Sequence, residues 1–299
     1  MTDHGDHSSD KGSGSAGLLG PAEIRDLAEM LGVQPTKKLG QNFVIDPNTV
    51  RRIVRIAGVQ PREQVVEIGP GLGSLTLGLL EAGATVLAVE IDERLARQLP
   101  ITVETMAGDR VGGLTVMQAD ALEVRQLPGA PLRLVANLPY NVSVPVLLHF
   151  LENFPSIRSG VVMVQAEVGQ RIAAGPGSKI YGSPSVKAAW YGAFRLAGTV
   201  SRQVFWPVPN VDSVLVGFTL SGEQPGDATL RREVFGLVDA AFGQRRKMLR
   251  GALAAALGGS EKAIAVLTNA RVAPTRRGEE LTLDEFVAIA RAARELPAL

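Results

Sequence analysis

Asn137, Leu138, Pro139 and Tyr140 follow a predicted strand in LRLVANLPY and place an amide, a backbone carbonyl ahead of a proline, and an aromatic ring side by side. The chemistry this suits is acceptor chemistry. An exocyclic adenine amine is a poor nucleophile because its lone pair is delocalised into the ring. Two acceptors aimed at its N–H groups, the Asn137 side-chain oxygen and the Leu138 carbonyl, can hold that nitrogen in line with a methyl donor and stabilise charge as it develops. No strong base is required. Tyr140 can stack on an extruded base, and Phe205 in FWPVPNVDS offers a second aromatic face from another loop. A packing aromatic is the alternative for either ring taken singly, whereas Asn137 between a strand and a proline is harder to explain as packing.

A second constellation lies upstream. Gly69, Gly71 and Gly73 in EIGPGLGSLT follow one predicted strand and open a helix. A turn without side chains lets backbone approach a ligand at the carboxyl edge of a parallel sheet, and Glu90 at the end of the next strand is spaced to accept both ribose hydroxyls of a nucleoside. The turn reads G-P-G-x-G rather than G-x-G-x-x-G, and with Glu67 and Pro70 it suits a cofactor carrying an amino-acid moiety, S-adenosylmethionine, better than NAD. A merely structural glycine turn is the third reading. Asp120 in QADAL can accept from the adenine amino group of that cofactor, with Ala121 and Leu122 as an apolar wall; a strand-end Asp is as often a helix cap.

The elements that must position these residues are legible as a change of period. PAEIRDLAEMLG and NTVRRIVRIAG repeat apolar residues at helical spacing. From residue 65, VVEIG reads as a short buried strand and TVLAVEID, LTVMQADAL and LRLVANLPY as a second, third and fourth strand, alternating with helices of about a dozen residues, which predicts a mostly parallel sheet covered on both faces. GVVMVQAEVGQRIAA reads as a strand running into a helix, and VDSVLVGFTL alternates as a late strand, antiparallel to the rest. SGEQPGD, residues 221–227, is the best linker. Beyond it TLRREVFGLVDAAF, RKMLRGALAAALG, EKAIAVLTNA and LTLDEFVAIARAARE are helical, with Thr282 and Glu285 as a capping-box candidate. The expected architecture is therefore an α/β, Rossmann-like catalytic domain over 18–220 and a small all-helical domain over 221–299, preceded by a polar tail, 1–17.

Composition narrows the function classes. The chain has 299 residues, 45% of them hydrophobic, with no Cys, which excludes disulfides, thiolate catalysis and Cys-based metal sites. Only three His are present, and His4 and His7 in the tail are better read as part of a polar segment than as metal ligands; no metal site is expected. His149, in the apolar helix VPVLLHFLENF, reads as a packing or capping residue. No apolar stretch reaches membrane-spanning length and the start has neither basic flank nor apolar core, so the cytoplasm is the expected compartment.

With 31 Lys+Arg against 30 Asp+Glu, binding to a polyanion depends on where charge is placed. Arg245, Arg246, Lys247 and Arg250 form the densest basic run and are candidates for RNA phosphate contacts; a solvated face with paired charges is the alternative. Lys37 and Lys38 can close over the cofactor cleft or touch the target strand, and Arg51, Arg52 and Arg55 can extend that patch. Glu279, Glu280, Asp284 and Glu285 read as helix-start charges.

The run KKLGQNFVID, EIGPGLGSLT, VEID, QADAL, NLPY, FWPVPNVDS and FGQRRKMLR closely resembles the bacterial small-subunit ribosomal RNA adenine N6,N6-dimethyltransferase family, whose loss gives kasugamycin resistance. The resemblance extends from about residue 35 to the last helix. It implies a class I S-adenosylmethionine-dependent fold, with Asn42, Val44, Gly69, Glu90, Asp120 and Asn137 at the cofactor and Asn137, Leu138, Tyr140 and Phe205 at the target adenosine. It also implies dimethylation of two adjacent adenosines in the 3′-terminal hairpin loop of 16S rRNA, within the 30S particle and late in its assembly, by a monomer whose helical domain helps it dock. Departures from the family pattern are Val44 for Leu, Ala166 for Lys and Gly169 within QAEVGQR, where Glu167 and Arg171 remain, and Gly278 for Pro in RRGEE. The competing readings are a resistance-type dimethylase of large-subunit rRNA, a DNA adenine methyltransferase, and an assembly factor whose binding matters more than its catalysis.

Overall fold

The computed structural model describes residues 17–33 and 42–296, so His4 and His7 lie outside the described residues. The first helix, α1 (Pro21–Met30), begins with a proline whose fixed φ suits a first turn, and Glu23 accepts from the Gly20 N–H at 3.1 Å. After the short strand β1 (Phe43–Val44), α2 (Pro47–Ala57) is capped by Asp46, which accepts from the Thr49 N–H at 3.0 Å, and ends at Gly58 in the left-handed region, φ 66°.

Alternation then builds the sheet. Strand β2 (Gln64–Ile68), helix α3 (Ser74–Glu81), β3 (Thr85–Glu90), α4 (Glu93–Ala107), β4 (Leu114–Gln118), β5 (Arg133–Asn137), α5 (Ser143–Asn153) and β6 (Ser159–Gln165) follow in order, and all five strands pair in parallel. VVEI, VLAVE and LVA are buried because helices cover both faces. After α6 (Ala166–Ile172) and α7 (Ser183–Ala189) come β7 (Gly192–Val200), β8 (Phe205–Trp206) and β9 (Ser213–Leu220). The sheet order is β4-β3-β2-β5-β6-β9-β7, with β9 antiparallel to both neighbours, as its alternation predicts. β8 pairs with β1 away from this sheet. The sense of progression reverses between β2 and β5, the switch point where open α/β sheets leave a crevice beyond their carboxyl ends. The glycine turn and NLPY flank that crevice.

Residues 221–227 carry neither helix nor strand, and Trp190 Nε1 donates across to Gln224 Oε1 at 2.9 Å. Beyond them the described chain is helical: α8 (Ala228–Gly243), α9 (Leu249–Ala252), α10 (Ala254–Leu257), α11 (Ser260–Asn269) and α12 (Leu283–Glu295), with a short 3₁₀ turn at 278–280. The capping box forms: Glu285 N donates to Thr282 Oγ1 at 3.3 Å and Thr282 N to Glu285 Oε2 at 2.8 Å. One apolar core joins Trp190 and Tyr191 on the sheet side to Val234, Val238 and Phe286 on the helical side. Among the described residues no helix is long and apolar enough to cross a membrane.

Two sequence expectations change. RKMLRGALAAALG is not one helix; Leu249 N and Arg250 N donate to the carbonyls of Arg276 (2.7 Å) and Pro274 (3.1 Å), so Arg245–Met248 are held outside helical geometry. Strand β7 and helix α7 have no counterpart in the sequence reading. GAFRLAGTV is an edge strand with a register shift between Leu196 and Gly198, and neither feature leaves clean alternation.

Candidate active site

Between β2 and α3 the backbone turns through Gly69 (φ 68°) and Gly71 (φ 58°), a conformation side-chain-bearing residues rarely adopt. A Cβ on Gly71 would also stand 2.9 Å from Phe43 Cε1, so the glycine is required by both backbone and neighbour. Phe43 belongs to β1, whose position is fixed by Ser74 Oγ donating to the Val44 carbonyl at 2.7 Å. The turn and β1 are thereby one unit.

Two buried carboxylates sit beneath it. Glu90 Oε2 accepts from Gly71 N at 3.1 Å and Oε1 from Asp92 N at 3.0 Å; burial nonetheless pushes this carboxyl above its ordinary value, against those bonds. Glu67 is fully buried. Burial pushes its pKa up to about 8, Thr76 Oγ1 at 2.6 Å opposes that rise, and the charge of Glu90 adds to it. At neutral pH Glu67 is therefore mostly protonated.

Across the crevice, Asn137 ends β5. Its Nδ2 donates to the Asn42 carbonyl at 3.0 Å, which fixes the amide and leaves Oδ1 as the acceptor. The loop behind it is tied at two points. Leu138 N donates to the Met163 carbonyl at 3.1 Å, and Tyr140 Oη shares a 2.7 Å hydrogen bond with Ser213 Oγ. Ser213 is wholly buried as the first residue of β9, so the FWPVPNVDS motif ends on the tyrosine of NLPY. Burial raises the Tyr140 pKa, keeping the phenol neutral.

One cavity collects most of the expected residues: Asn42, Val44, Gly69, Gly71, Glu90, Asp120, Ala121, Leu122, Asn137, Leu138 and Tyr140 all line it. Asp120 Oδ1 accepts from Leu122 N at 2.8 Å, so this residue caps its turn with one oxygen while lining the cavity. Phe205 is a correction. It is 0% exposed, pairs with Val44 in the β1–β8 ladder and lines no part of the cavity, so its ring presents no open face for stacking; the packing alternative describes it. Residues the sequence reading left without a role are Phe43, which lines the cavity, and Ser74 and Ser213, which fasten its walls. Ser213 stood within a quoted motif; nothing in the sequence signalled its partner.

The basic run divides. Arg245 is half-buried, its Nε 2.6 Å from Glu279 Oε2 and its Nη2 donating to the Lys179 carbonyl at 2.7 Å, so it holds two segments together. Arg246, Lys247 and Arg250 are exposed and make no ion pair among the described residues. Arg51 pairs with Glu81 at 3.0 Å and Arg52 donates to the Thr199 carbonyl at 2.8 Å, which occupies two of the three cations of α2. Lys37 and Lys38 lie outside the described residues. His149 is a packing residue, its Nε2 donating to the Val124 carbonyl at 2.7 Å and its ring edge-on to Phe150 and Phe154.

Residues 33–294 match the family model described as ribosomal RNA adenine dimethylase. A "Ribosomal RNA small subunit methyltransferase A" from Leifsonia xyli subsp. xyli is 71% identical over 273 residues, covering 91% of this chain and 98% of that one. The protein of the same name from Streptomyces coelicolor is 59% identical over 91% of this chain and 96% of its own. Among solved structures, a dimethyladenosine transferase from Plasmodium falciparum superposes with a TM-score of 0.70 at 23% identity, covering 82% of this chain and 94% of that one. The 23S rRNA methyltransferase ErmE superposes with a TM-score of 0.62, also at 23% identity, covering 85% and 100%. These two share the fold, a Rossmann-like sheet with a C-terminal helical part. The family-model match and the identities say more: this chain belongs to the ribosomal RNA adenine dimethylase family.

Proposed function

We propose that this chain dimethylates N6 of two adjacent adenosines in the 3′-terminal hairpin loop of 16S rRNA, using S-adenosylmethionine, on the 30S particle late in small-subunit biogenesis. The target rests on one observation, the 71% identity over 91% of the chain to a small-subunit rRNA methyltransferase. The chemistry rests on the cavity. Its donor set fits the cofactor: Glu90 for the ribose hydroxyls, Asp120 for the adenine amine, Val44, Ala121 and Leu122 for the purine faces, and the glycine turn with Glu67 toward the amino-acid end.

When bound, S-adenosylmethionine supplies the methyl group on a sulfonium. The chain's own part is orientation and charge. Asn137 Oδ1 and the Leu138 carbonyl accept from N6, turning its lone pair away from them and stabilising positive charge as it grows. Tyr140 stacks on the extruded base, its ring held by Ser213. Arg246, Lys247 and Arg250 meet phosphates, together with Lys37 and Lys38, while Arg245 positions that surface through Glu279. The protein acts as a monomer, with residues 18–220 as catalytic domain and 221–299 assisting docking.

The test incubates purified protein and labelled S-adenosylmethionine with undermethylated small subunits, large subunits and naked rRNA in parallel, and identifies nucleosides by mass spectrometry. Dimethyladenosine is expected from small-subunit particles alone. Product on large subunits replaces the target with that of the resistance-type enzymes, and no transfer despite cofactor binding removes the substrate assignment.

The Tyr140–Ser213 bond gives a finer expectation. Ser213→Ala leaves a half-buried phenol without this partner and the ring free to tilt, which raises KM for the particle about threefold to tenfold with a smaller change in kcat. Ser213→Thr, which keeps the hydroxyl, restores KM. Equal kinetics for Ala and wild type would show that the bond positions nothing.

A further inference from the structure

We propose a second nucleotide subsite beside the cavity, in which Trp206 stacks on the base next to the target adenosine and Arg202 meets its phosphate. It rests on the RNA-modifying function above. Trp206 lies opposite Phe43 in the β1–β8 ladder, and the two rings stack with centroids 6.4 Å apart and planes at 21°. Phe43 lines the cavity, so the stacked pair links Trp206 to the cavity wall. Phe43 is covered, whereas Trp206 is only half-buried.

The loop that follows is apolar and open. Val208 is 60% and Val211 44% exposed, so the loop presents apolar surface to solvent. Arg202 is exposed, its Nη1 spans the loop to the Asn210 carbonyl at 3.2 Å, and it makes no ion pair among the described residues. Both ends of the loop are fastened to the site: Ile45 N donates to the Val204 carbonyl at 2.9 Å, Arg202 N to Asp212 Oδ1 at 3.1 Å, and Ser213 holds Tyr140. A half-buried indole, with an exposed guanidinium four positions earlier in the chain that makes no ion pair among the described residues, is what an unstacked base and its phosphate require. The reaction also demands it. With one adenosine extruded into the cavity, its neighbour has lost a stacking partner, and an enzyme that modifies both must hold the second while the first reacts.

The chain has two tryptophans, and Trp190 is 1% exposed, so an emission change on adding RNA reports Trp206. The full-length protein is titrated with a short oligoriboadenylate and with the same oligomer carrying one abasic position. Emission is expected to be quenched by the intact oligomer, Trp206→Ala to weaken its binding about tenfold, and Trp206→Phe to bind within about threefold of wild type. The abasic oligomer should bind wild type as weakly as the intact one binds Trp206→Ala. Arg202→Ala should shallow the slope of log K against log salt by about 0.7. Unmoved emission at saturation, absence of binding, equal affinities of Trp206→Ala and wild type, or a response to ribosomal protein but not RNA each overturns the subsite. Failure of the function reading is scored separately, as absence of dimethyladenosine from wild type acting on small-subunit particles.

Discussion

Asn137→Ala is expected to slow methyl transfer by about 10²–10³-fold, a loss of ~3–4 kcal/mol of transition-state stabilisation, with the fold intact. The magnitude follows from what the side chain is committed to. Its Nδ2 is held by the Asn42 carbonyl at 3.0 Å, so the remaining oxygen is oriented before substrate arrives and costs no reorganisation when charge develops on N6. Asn137→Asp does not rescue. It places carboxylate oxygen against the Asn42 carbonyl, repelling the residue that held it. Single-turnover rates on small-subunit particles, with a urea melt as the folding control, check the expectation; a rate within threefold of wild type would remove Asn137 as the acceptor. Supplying the same variant to cells with undermethylated subunits separates two biologies. Loss of methylation with assembly rescue retained assigns the cellular role to binding, and loss of both assigns it to catalysis.

Much of this site was legible because its parts are local. The glycine turn, Glu90 and Asn137 each end a strand whose buried apolar run announces it, Asp120 follows the half-exposed edge strand β4, and a parallel sheet brings strand ends to one edge. What escaped the sequence depends on long-range contact. Phe205 reads as a free aromatic until the β1–β8 pairing buries it beside Val44, and the Tyr140–Ser213 bond joins residues 73 positions apart. Arg245 looks like its basic neighbours until Glu279, from beyond three helices, claims it. The two glycine departures from family pattern gain a reason in the same way. Gly169 suggests added backbone freedom, yet it lies within α6, where a Cβ would stand 2.3 Å from Val214 Cγ2; it is there to let helix and strand touch. Gly278 similarly sits 2.8 Å, at its absent Cβ, from Ala241 Cβ. Glu167 and Arg171 pair with each other at 2.7 Å.

Glu67 carries the other large expectation, because it is a carboxyl that the fold keeps protonated. Burial raises its pKa to about 8, against an ordinary value of 4.5. Between those values the folded chain holds a proton that the unfolded chain releases, so stability falls as pH rises through that window. At ~1.4 kcal/mol per pH unit, the fall from pH 5.5 to pH 8 amounts to about 3 kcal/mol from this group. Asp92 and Asp227 act in the opposite sense and elsewhere. The Arg94 guanidinium holds the first below its ordinary value and the Leu230 N–H the second, so their stabilisation is complete above about pH 4 and is lost only below it. Glu67→Gln, which keeps an oxygen for the Thr76 hydroxyl and cannot ionise, should flatten the urea midpoint between pH 5.5 and 8 and make the variant the more stable protein at pH 8. A residual slope remains from Glu90, which burial also raises. A variant whose midpoint falls with pH as steeply as the wild type would show that Glu67 is ionised in the fold. The instability is tolerable for a reason within the site: a cation placed beside Glu67 and Glu90 favours their charged forms, so wild type should release protons on binding S-adenosylmethionine at pH 7, and Glu67→Gln fewer, in calorimetry across buffers of different ionisation enthalpy. The loss of stability at high pH and the affinity for S-adenosylmethionine then have a common origin, two carboxyls buried where a positive ligand belongs.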